Sequence, residues 1–255
     1  MKKQYTIDDL REILITLRGE NGCPWDRVQT HESIKKDMIE EAYEAIDALS
    51  KGDDAAFANE LGDVLLQVVF HSRIAEERGA FNFDDVLTEI CTKLITRHTH
   101  VFGDAKAENT KEALVEWEKN KKKEKGLTSF TDNLKDVPSY LPALMRAEKV
   151  QKRAAEPGFD FCDALPALEK LEEEIRELKQ AVLENSNIEE EFGDVLFSAV
   201  NTGRLLGFCS ETVLSDSTEK FISRFEKLEN EVLSQNKSLN DLNLAEMDEI
   251  WKKIK

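Results

Sequence analysis

One sequence pattern is written twice in this chain, and it strongly limits how the chain can fold. The stretch ELGDVLL at 60–66 returns as EFGDVLF at 191–197. In each copy a glutamate and an aspartate lie three positions apart, and apolar residues follow them. Residues three apart share one face of an α-helix. The repeat therefore predicts two largely buried helices, each of which carries a carboxylate pair on one face.

A second acidic motif precedes each copy. It reads EEAYE at 40–44 and EEIRE at 173–177, so the full repeat is Glu-Glu-x-x-Glu, a spacer, then Glu-x-x-Asp. The spacers are long enough to complete one helix, turn at KGDD or ENSN, and return as an antiparallel helix. We therefore expect four carboxylates to meet in each half, namely Glu41, Glu44, Glu60 and Asp63 in the first and Glu174, Glu177, Glu191 and Asp194 in the second.

The rest of the chain also has helical periodicity. Apolar residues recur at spacings of three and four, and aromatic residues make up only 7% of the 255 residues, which together favour an all-α fold. Thr6 with Asp9 and Asn82 with Asp85 are typical helix starts, and Gly79 is a typical stop. The predicted helices span 7–18, 31–50, 55–78, 84–99, 111–125, 143–155, 165–184, 188–206, 211–235 and 245–255.

The periodicity fails in one central segment, GLTSFTDNLKDVPSYLP, which contains Pro138 and Pro142. We therefore predict an N-terminal domain at 1–125, a linker at 126–142 and a C-terminal domain at 143–255.

Composition excludes several classes of partner. No apolar stretch approaches the roughly 20 residues of a membrane span, and the amino terminus is amphipathic, so we expect a cytoplasmic protein that does not bind membranes. The net charge of -17 opposes binding to nucleic acid phosphates. The four cysteines include no Cys-x-x-Cys pair, which indicates neither a zinc knuckle nor a disulfide framework, and we expect them to be buried thiols.

The carboxylates point to a metal site. A single acidic pair is usually a solvated face, but Glu60 and Asp63 lie on an apolar helix, where their charges need compensation. Each like-charged pair costs about 3 to 4 kcal/mol at an effective dielectric constant near 20. Oxygen ligands select hard cations, and Mg2+ commonly completes its shell with substrate phosphate.

Histidine-containing metal sites are disfavoured. A di-iron bundle requires Glu-x-x-His, and no histidine here has a glutamate three positions before it. His98 and His100 form a weak metal motif, so packing or substrate contact is the favoured interpretation.

Cationic and aromatic residues follow the acids in the same order in both halves. A Lys-x-x-x-Arg pair is followed by Trp-x-x-x-Lys. Lysine and arginine on one helical face can bind phosphate oxygens. The predicted substrate-binding residues are Lys93, Arg97, Trp117 and Lys121 in the first half and Lys220, Arg224, Trp251 and Lys255 in the second. The shared order predicts a duplicated polyphosphate site.

These motifs resemble the MazG-type nucleoside triphosphate pyrophosphohydrolases, whose hallmark is Glu-Glu-x-x-Glu followed by Glu-x-x-Asp. The resemblance covers almost the whole chain and includes GCPWDRVQTH, RHTHVFG, SYLPALMRAEKVQKRA and PGFDF. It implies two tandem MazG-like helical bundles in a homodimer. The implied reaction is the Mg2+-dependent hydrolysis of nucleoside triphosphates, ATP among them, to the monophosphate and pyrophosphate.

The resemblance also implies roles for individual residues. The two sets of four carboxylates resemble metal ligands, and Asn201 is similar to a family asparagine that contacts nucleotide. A doubled glutamate can supply both a ligand and a base. The candidates that activate water are Glu173 or Glu174 in the second half and Glu40 or Glu41 in the first.

Two functions are alternatives to an enzyme that accepts many nucleobases. One is a catalytically weak helical dimer that serves as a protein-interaction scaffold, which the intact acidic sets disfavour. The other is a pyrophosphohydrolase narrow for one modified or deoxy nucleotide. We also expect unequal halves, because Phe70 occupies the position of Asn201 in the first half and cannot make the amide's hydrogen bonds.

Overall fold

The computed structural model describes residues 4–254, and these residues form helices and turns without a strand. The all-α prediction is therefore confirmed. The described chain divides into two compact units between Lys121 and Lys122. No helix among the described residues is both long enough and apolar enough to cross a membrane.

The helices of the first half are arranged around one central hairpin. They are α1 (Ile7–Arg18), α2 (Pro24–Val28), α3 (Asp37–Lys51), α4 (Asp54–Glu77), α5 (Phe83–Arg97), α6 (Thr99–Phe102) and α7 (Thr110–Glu124). The hairpin consists of α3 and α4, and α1 and α5 pack against α4.

The helices of the second half are α8 (Phe130–Lys135), α9 (Ala143–Ala155), α10 (Ala164–Glu184), α11 (Ile188–Leu205), α12 (Ser210–Ser234) and α13 (Leu244–Lys253). A 3-10 turn spans Leu239–Asp241. Here α10 and α11 form the central hairpin, and α9 packs against α11 and α12.

Local capping explains where several helices begin and end. Both predicted capping boxes are present, with Thr6 bonded reciprocally to Asp9 and Asn82 to Asp85. Gly79 ends α4 with φ of 67°. The two hairpins turn where expected, because Gly52 and Asn185 adopt left-handed conformations immediately after α3 and α10.

The predicted start at residue 31 of the helix expected at 31–50 is wrong, since α3 begins at Asp37. Thr30 and Ser33 exchange backbone-to-side-chain hydrogen bonds, which hold this segment in turns. His31 stacks on His71, with ring centroids 5.1 Å apart. Local polar bonds and this stacking therefore replace the first helical turns.

Residues 126–142 are folded against α9. Asp136 accepts from Lys125 Nζ at 2.8 Å and pairs with Arg153 Nη2 at 3.2 Å. Asn133 is buried and donates to Glu156 at 2.9 Å. The bounds 1–125, 126–142 and 143–255 stay a proposal about domain organisation.

Each unit has a small buried core beside its hairpin. In the first unit the core cluster consists of Leu14, Ile34, Val69, Phe70, Ile74 and Phe83. In the second unit the buried apolar residues include Ala167, Ala181, Val200, Leu228 and Val232. The expectation of buried thiols is wrong for Cys91 and Cys162, which are exposed.

Candidate active site

The first carboxylate cluster lies where α3 and α4 face each other. Glu41 of α3 and Glu60 and Asp63 of α4 each offer an oxygen, and the three oxygens lie within 4.8 Å of one another. All three residues are half-buried. The antiparallel hairpin thus brings together acids that lie far apart in the sequence.

The second cluster repeats this geometry between α10 and α11. Glu174, Glu191 and Asp194 have oxygens within 4.8 Å of one another. Glu174 is buried, whereas Asp194 is exposed. Three of the four predicted metal ligands therefore meet in each half.

The fourth predicted ligand of each half, Glu44 or Glu177, is exposed and lies outside the close group. Its charge nevertheless raises the pKa of one carboxylate in that group. Burial, and then Asp63 and Glu44, raise the pKa of Glu41. Burial, and then Glu177 and Asp194, raise the pKa of Glu191. Each pair of helices therefore concentrates negative charge that a cation would stabilise.

The donor set fits a hard divalent cation. Both close groups consist only of carboxylate oxygens, without sulfur or imidazole, and all-oxygen donors suit Mg2+, Mn2+ or Ca2+. His98 and His100 belong to neither group among the described residues. The His98 ring bonds to the Leu94 carbonyl oxygen at 2.7 Å, which accords with packing.

Lys170 distinguishes the second cluster and was missed in the sequence. Its ammonium lies 2.7 Å from Glu173 and 2.9 Å from Glu174. Hydrogen bonds to these two acids raise the pKa of Lys170, and the bond from Lys170 lowers the pKa of Glu173. The spacing of four residues from Lys170 to Glu174 is the signal that could have revealed this pair.

Asp37 occupies the corresponding position in the first half, four residues before Glu41. Its charge contributes to the raised pKa of Glu41. The doubled glutamates also differ, because Lys170 contacts both members of its pair, whereas Lys36 pairs with Glu40 at 3.1 Å.

A cavity of about 430 Å3 opens beside the second cluster. Glu174, Asp194 and Lys170 line one part of it, and aromatic and aliphatic side chains line much of the remainder. The complete lining is Val150, Gln151, Ala154, Gly158, Phe159, Asp160, Phe161, Lys170, Glu174, Asp194, Phe197, Ser198 and Asn201. Its size suits a small organic ligand, and its composition suits one with both an apolar ring and charged groups.

Asn201 is held in this cavity by Arg204. Arg204 Nε and Nη2 donate to Asn201 Oδ1 at 2.9 and 2.7 Å. The same guanidinium forms an ion pair with Asp160, which also lines the cavity. This fork assigns the orientation of the Asn201 amide and leaves its NH2 group as the donor for a ligand.

The predicted cations of the second half form a separate cluster. The Arg224 guanidinium lies 4.1 Å from the Trp251 ring centroid and donates to the Trp251 carbonyl oxygen at 2.7 Å. Lys220 is exposed, and Lys255 lies outside the described residues. Among the described residues, the lining of the cavity includes neither Arg224 nor Trp251.

The first half repeats the cation–aromatic arrangement. The Arg97 guanidinium carbon and Lys121 Nζ lie 5.4 and 4.7 Å from the Trp117 ring centroid. Lys93 pairs with Glu89 at 3.4 Å. Trp117 also lines a shallow pocket that it shares with His98 and His100.

The position of Asn201 is filled differently in the first half. Phe70 is 6% exposed and belongs to the hydrophobic core cluster. The Arg18 guanidinium lies 5.2 Å from the Phe70 ring centroid and pairs with Glu77 at 2.7 Å. Arg73, which corresponds to Arg204, bonds to Glu76 and Glu77 on its own helix.

Comparisons with known proteins match both halves. A family model described as the MazG nucleotide pyrophosphohydrolase domain matches residues 29–102 and 164–228. Each matched stretch contains one close carboxylate group and the Lys-x-x-x-Arg pair that follows it.

Two curated relatives are similar over nearly their whole length. The chain is 43% identical over 254 residues to the nucleoside triphosphate pyrophosphohydrolase of Escherichia coli (strain K12), which covers 98% of this chain and 97% of that protein. It is 44% identical over 248 residues to the nucleoside triphosphate pyrophosphohydrolase/pyrophosphatase MazG of Thermotoga maritima, covering 97% of this chain and 95% of that protein.

Proposed function

The chain belongs to the MazG nucleotide pyrophosphohydrolase family, and on that premise we propose that it hydrolyses nucleoside triphosphates to the monophosphate and pyrophosphate with Mg2+. The observation that carries this proposal is the second carboxylate cluster, which adjoins a cavity with an aromatic wall. The acids suit a metal-bound polyphosphate, and the wall suits a nucleoside. One site can thus bind both parts of the substrate.

The residues that would hold Mg2+ are Glu174, Glu191 and Asp194, with Glu177 close enough to contribute through charge or water. When bound, a divalent cation polarises phosphate oxygens and lowers the pKa of its water. Glu41, Glu60 and Asp63, with Glu44 nearby, would hold a cation in the first half.

The two adjacent glutamates of the second half, Glu173 and Glu174, have different surroundings. Glu174 lies within the ligand group, whereas the Glu173 side chain is 48% exposed and outside it. The hydrogen bond from Lys170 lowers the pKa of Glu173. We assign Glu173 the role of a hydrogen-bond acceptor that orients water. Glu41, which resembles Glu174 in position, would be a ligand in the first half.

The proposal includes broad base tolerance, because apolar contacts with Phe159, Phe161 and Phe197 do not select one base edge. It also includes a homodimer, since large apolar side chains such as Phe192, Phe221 and Ile222 are more than half exposed. Sedimentation as a stable monomer at micromolar concentration would contradict the dimer. We place the reaction in the cytoplasm, without nucleic acid or membrane partners.

A triphosphate panel tests the proposal. Canonical and modified nucleoside triphosphates are incubated with Mg2+ or with excess chelator, and pyrophosphate and orthophosphate are detected separately. We expect pyrophosphate from several bases and none in chelator. Asp194→Asn should lose this release, and the exposed Asp216→Asn serves as its matched control. Folded protein that releases no pyrophosphate from any triphosphate would support the scaffold alternative instead.

A further inference from the structure

Gln151 is a buried polar residue in the wall of the second-half cavity. It lies on α9 and is 7% exposed. Its amide nitrogen donates to the Phe197 carbonyl oxygen on α11 at 2.7 Å. Its Oε1 atom is buried and has no hydrogen-bond partner among the described residues. One end of this side chain is therefore bonded, while the other end lacks a donor.

The orientation of the Gln151 amide is fixed by chemistry. If the amide were flipped, Oε1 would face the carbonyl oxygen of Phe197, and two acceptors would meet. Oε1 is therefore the end that lacks a partner. A buried acceptor without a donor is unfavourable, so the position favours a ligand that supplies an N–H group.

The other amide in this wall cannot play the same part. Arg204 occupies the carbonyl oxygen of Asn201 with two hydrogen bonds, which leaves Asn201 as a donor. Glu174 and Asp194 belong to the carboxylate cluster. Gln151 itself lines this wall beside the apolar side chains of Val150, Ala154 and Phe197, and its Oε1 is a buried neutral acceptor without a partner among the described residues.

We propose that Gln151 Oε1 accepts a hydrogen bond from an N–H group on the nucleobase and so determines which bases the site takes. This inference rests on the proposed function and adds a specificity residue to it. Adenine, cytosine and guanine carry exocyclic amines, and uracil, thymine and guanine carry a ring N–H. One acceptor of this kind therefore admits every common base and disfavours a base that lacks such a donor.

A single substrate pair isolates the interaction. ATP and purine riboside triphosphate differ only in the 6-amino group, so apolar contacts and phosphate binding are shared. Without that group, Oε1 stays unpaired when the base is bound. We expect kcat/KM of the parent protein to be about 10-fold or more higher for ATP, since loss of a hydrogen bond at a buried polar group is costly.

The variant Gln151→Leu removes the acceptor and keeps a similar volume. We expect its kcat/KM ratio for the two substrates to approach one. Because both substrates are assayed on one preparation, a loss of folded protein cancels from the ratio. Gln180→Leu, on the exposed face of α10, should retain the parent ratio.

The outcomes separate two failures. If the parent protein releases pyrophosphate from both substrates at equal kcat/KM, the Gln151 proposal is overturned and the proposed function stands. An unchanged preference for ATP in Gln151→Leu would also overturn it. If neither triphosphate yields pyrophosphate, the proposed function fails and this inference fails with it. If Gln151→Leu does not fold, equal kcat/KM for the two substrates in the parent protein would still overturn the proposal.

Discussion

The two halves have equivalent carboxylate clusters but differ in the residues that pack beside these clusters. In the second half, Glu174 and Asp194 adjoin a cavity of about 430 Å3 that also contains Asn201. In the first half, the position of Asn201 is Phe70, which packs into the hydrophobic core beneath the Arg18 guanidinium. The same hairpin arrangement thus lies beside a cavity in one half and a packed core in the other.

The neighbouring charges differ as well. Lys170 contacts Glu174 in the second half, whereas Asp37 adds negative charge near Glu41 in the first. A duplicated carboxylate motif therefore fixes where a cation can bind but does not fix what lies beside it. We expect the second half to carry most of the turnover for this reason.

We expect a large difference between paired variants of the two cation clusters. Arg224→Ala should lower kcat/KM for a triphosphate by about 10²-fold, because a guanidinium that binds phosphate makes charge-assisted hydrogen bonds. Arg97→Ala, which removes the same contact with a tryptophan from the first half, should stay close to the parent. If Arg224→Ala has the kinetics of the parent and an unchanged circular dichroism spectrum, Arg224 does not bind phosphate and its contact with Trp251 is structural.

The next pair exchanges the residues that distinguish the cavity of the second half from the packed core of the first. Asn201→Phe should lower kcat/KM by about 10-fold, since it removes an amide donor and fills space beside the acids. Phe70→Asn should leave kcat/KM of the folded protein unchanged but reduce stability by about 3 to 5 kcal/mol, as for other losses of a buried ring. Steady-state kinetics and urea unfolding separate the two effects, and the opposite pattern would place the nucleoside in the first half.

The smallest expected effect is a pH dependence that belongs to the first half. Burial lowers the pKa of both His31 and His71, with Arg78 and Arg18 adding to the effect at His31. As the pH falls, the unfolded chain therefore binds protons at these histidines at a higher pH than the folded chain does. Their contribution to the free energy of unfolding is retained above about pH 6.5 and lost as the pH falls through the lower folded-state pKa values.

The matched variant for this prediction is His71→Thr, because threonine occupies the corresponding position, Thr202, in the second half. Between pH 7.5 and 5.5 we expect Tm of the parent to fall by about 2 to 4 °C more than Tm of the variant. Equal slopes of Tm against pH would show that the stacked histidines do not control acid stability.

The sequence predicted the long helices, and three of the four acids expected to meet in each half do so, because both features follow from local rules. The short helices α2 and α8 were not predicted. Spacing of three residues, helix caps and a turn between two helices are sufficient to bring Glu174 to Asp194. The early start proposed for α3 was wrong because a tertiary contact, His31 with His71, competes with helical periodicity.

The cavity could not be predicted in the same way. Gln151 becomes important only because α9 packs against α11 and its amide meets the Phe197 carbonyl oxygen. The sequence placed Arg224 and Trp251 in one predicted substrate-binding set. The two side chains contact each other, but this contact does not reveal where they lie relative to the cavity. Such relations depend on packing between helices, which periodicity does not specify.

The most direct test of unequal halves compares Glu60→Gln with Glu191→Gln in the full-length protein. Each substitution removes one charge from one carboxylate group and nearly preserves side-chain volume. With Mg2+ and a triphosphate, we expect Glu191→Gln to lower pyrophosphate release by about 10²-fold or more, and Glu60→Gln to retain near-parent release. Circular dichroism confirms that both variants are folded. Loss of release in Glu60→Gln with near-parent release in Glu191→Gln would contradict the assignment of turnover to the second half.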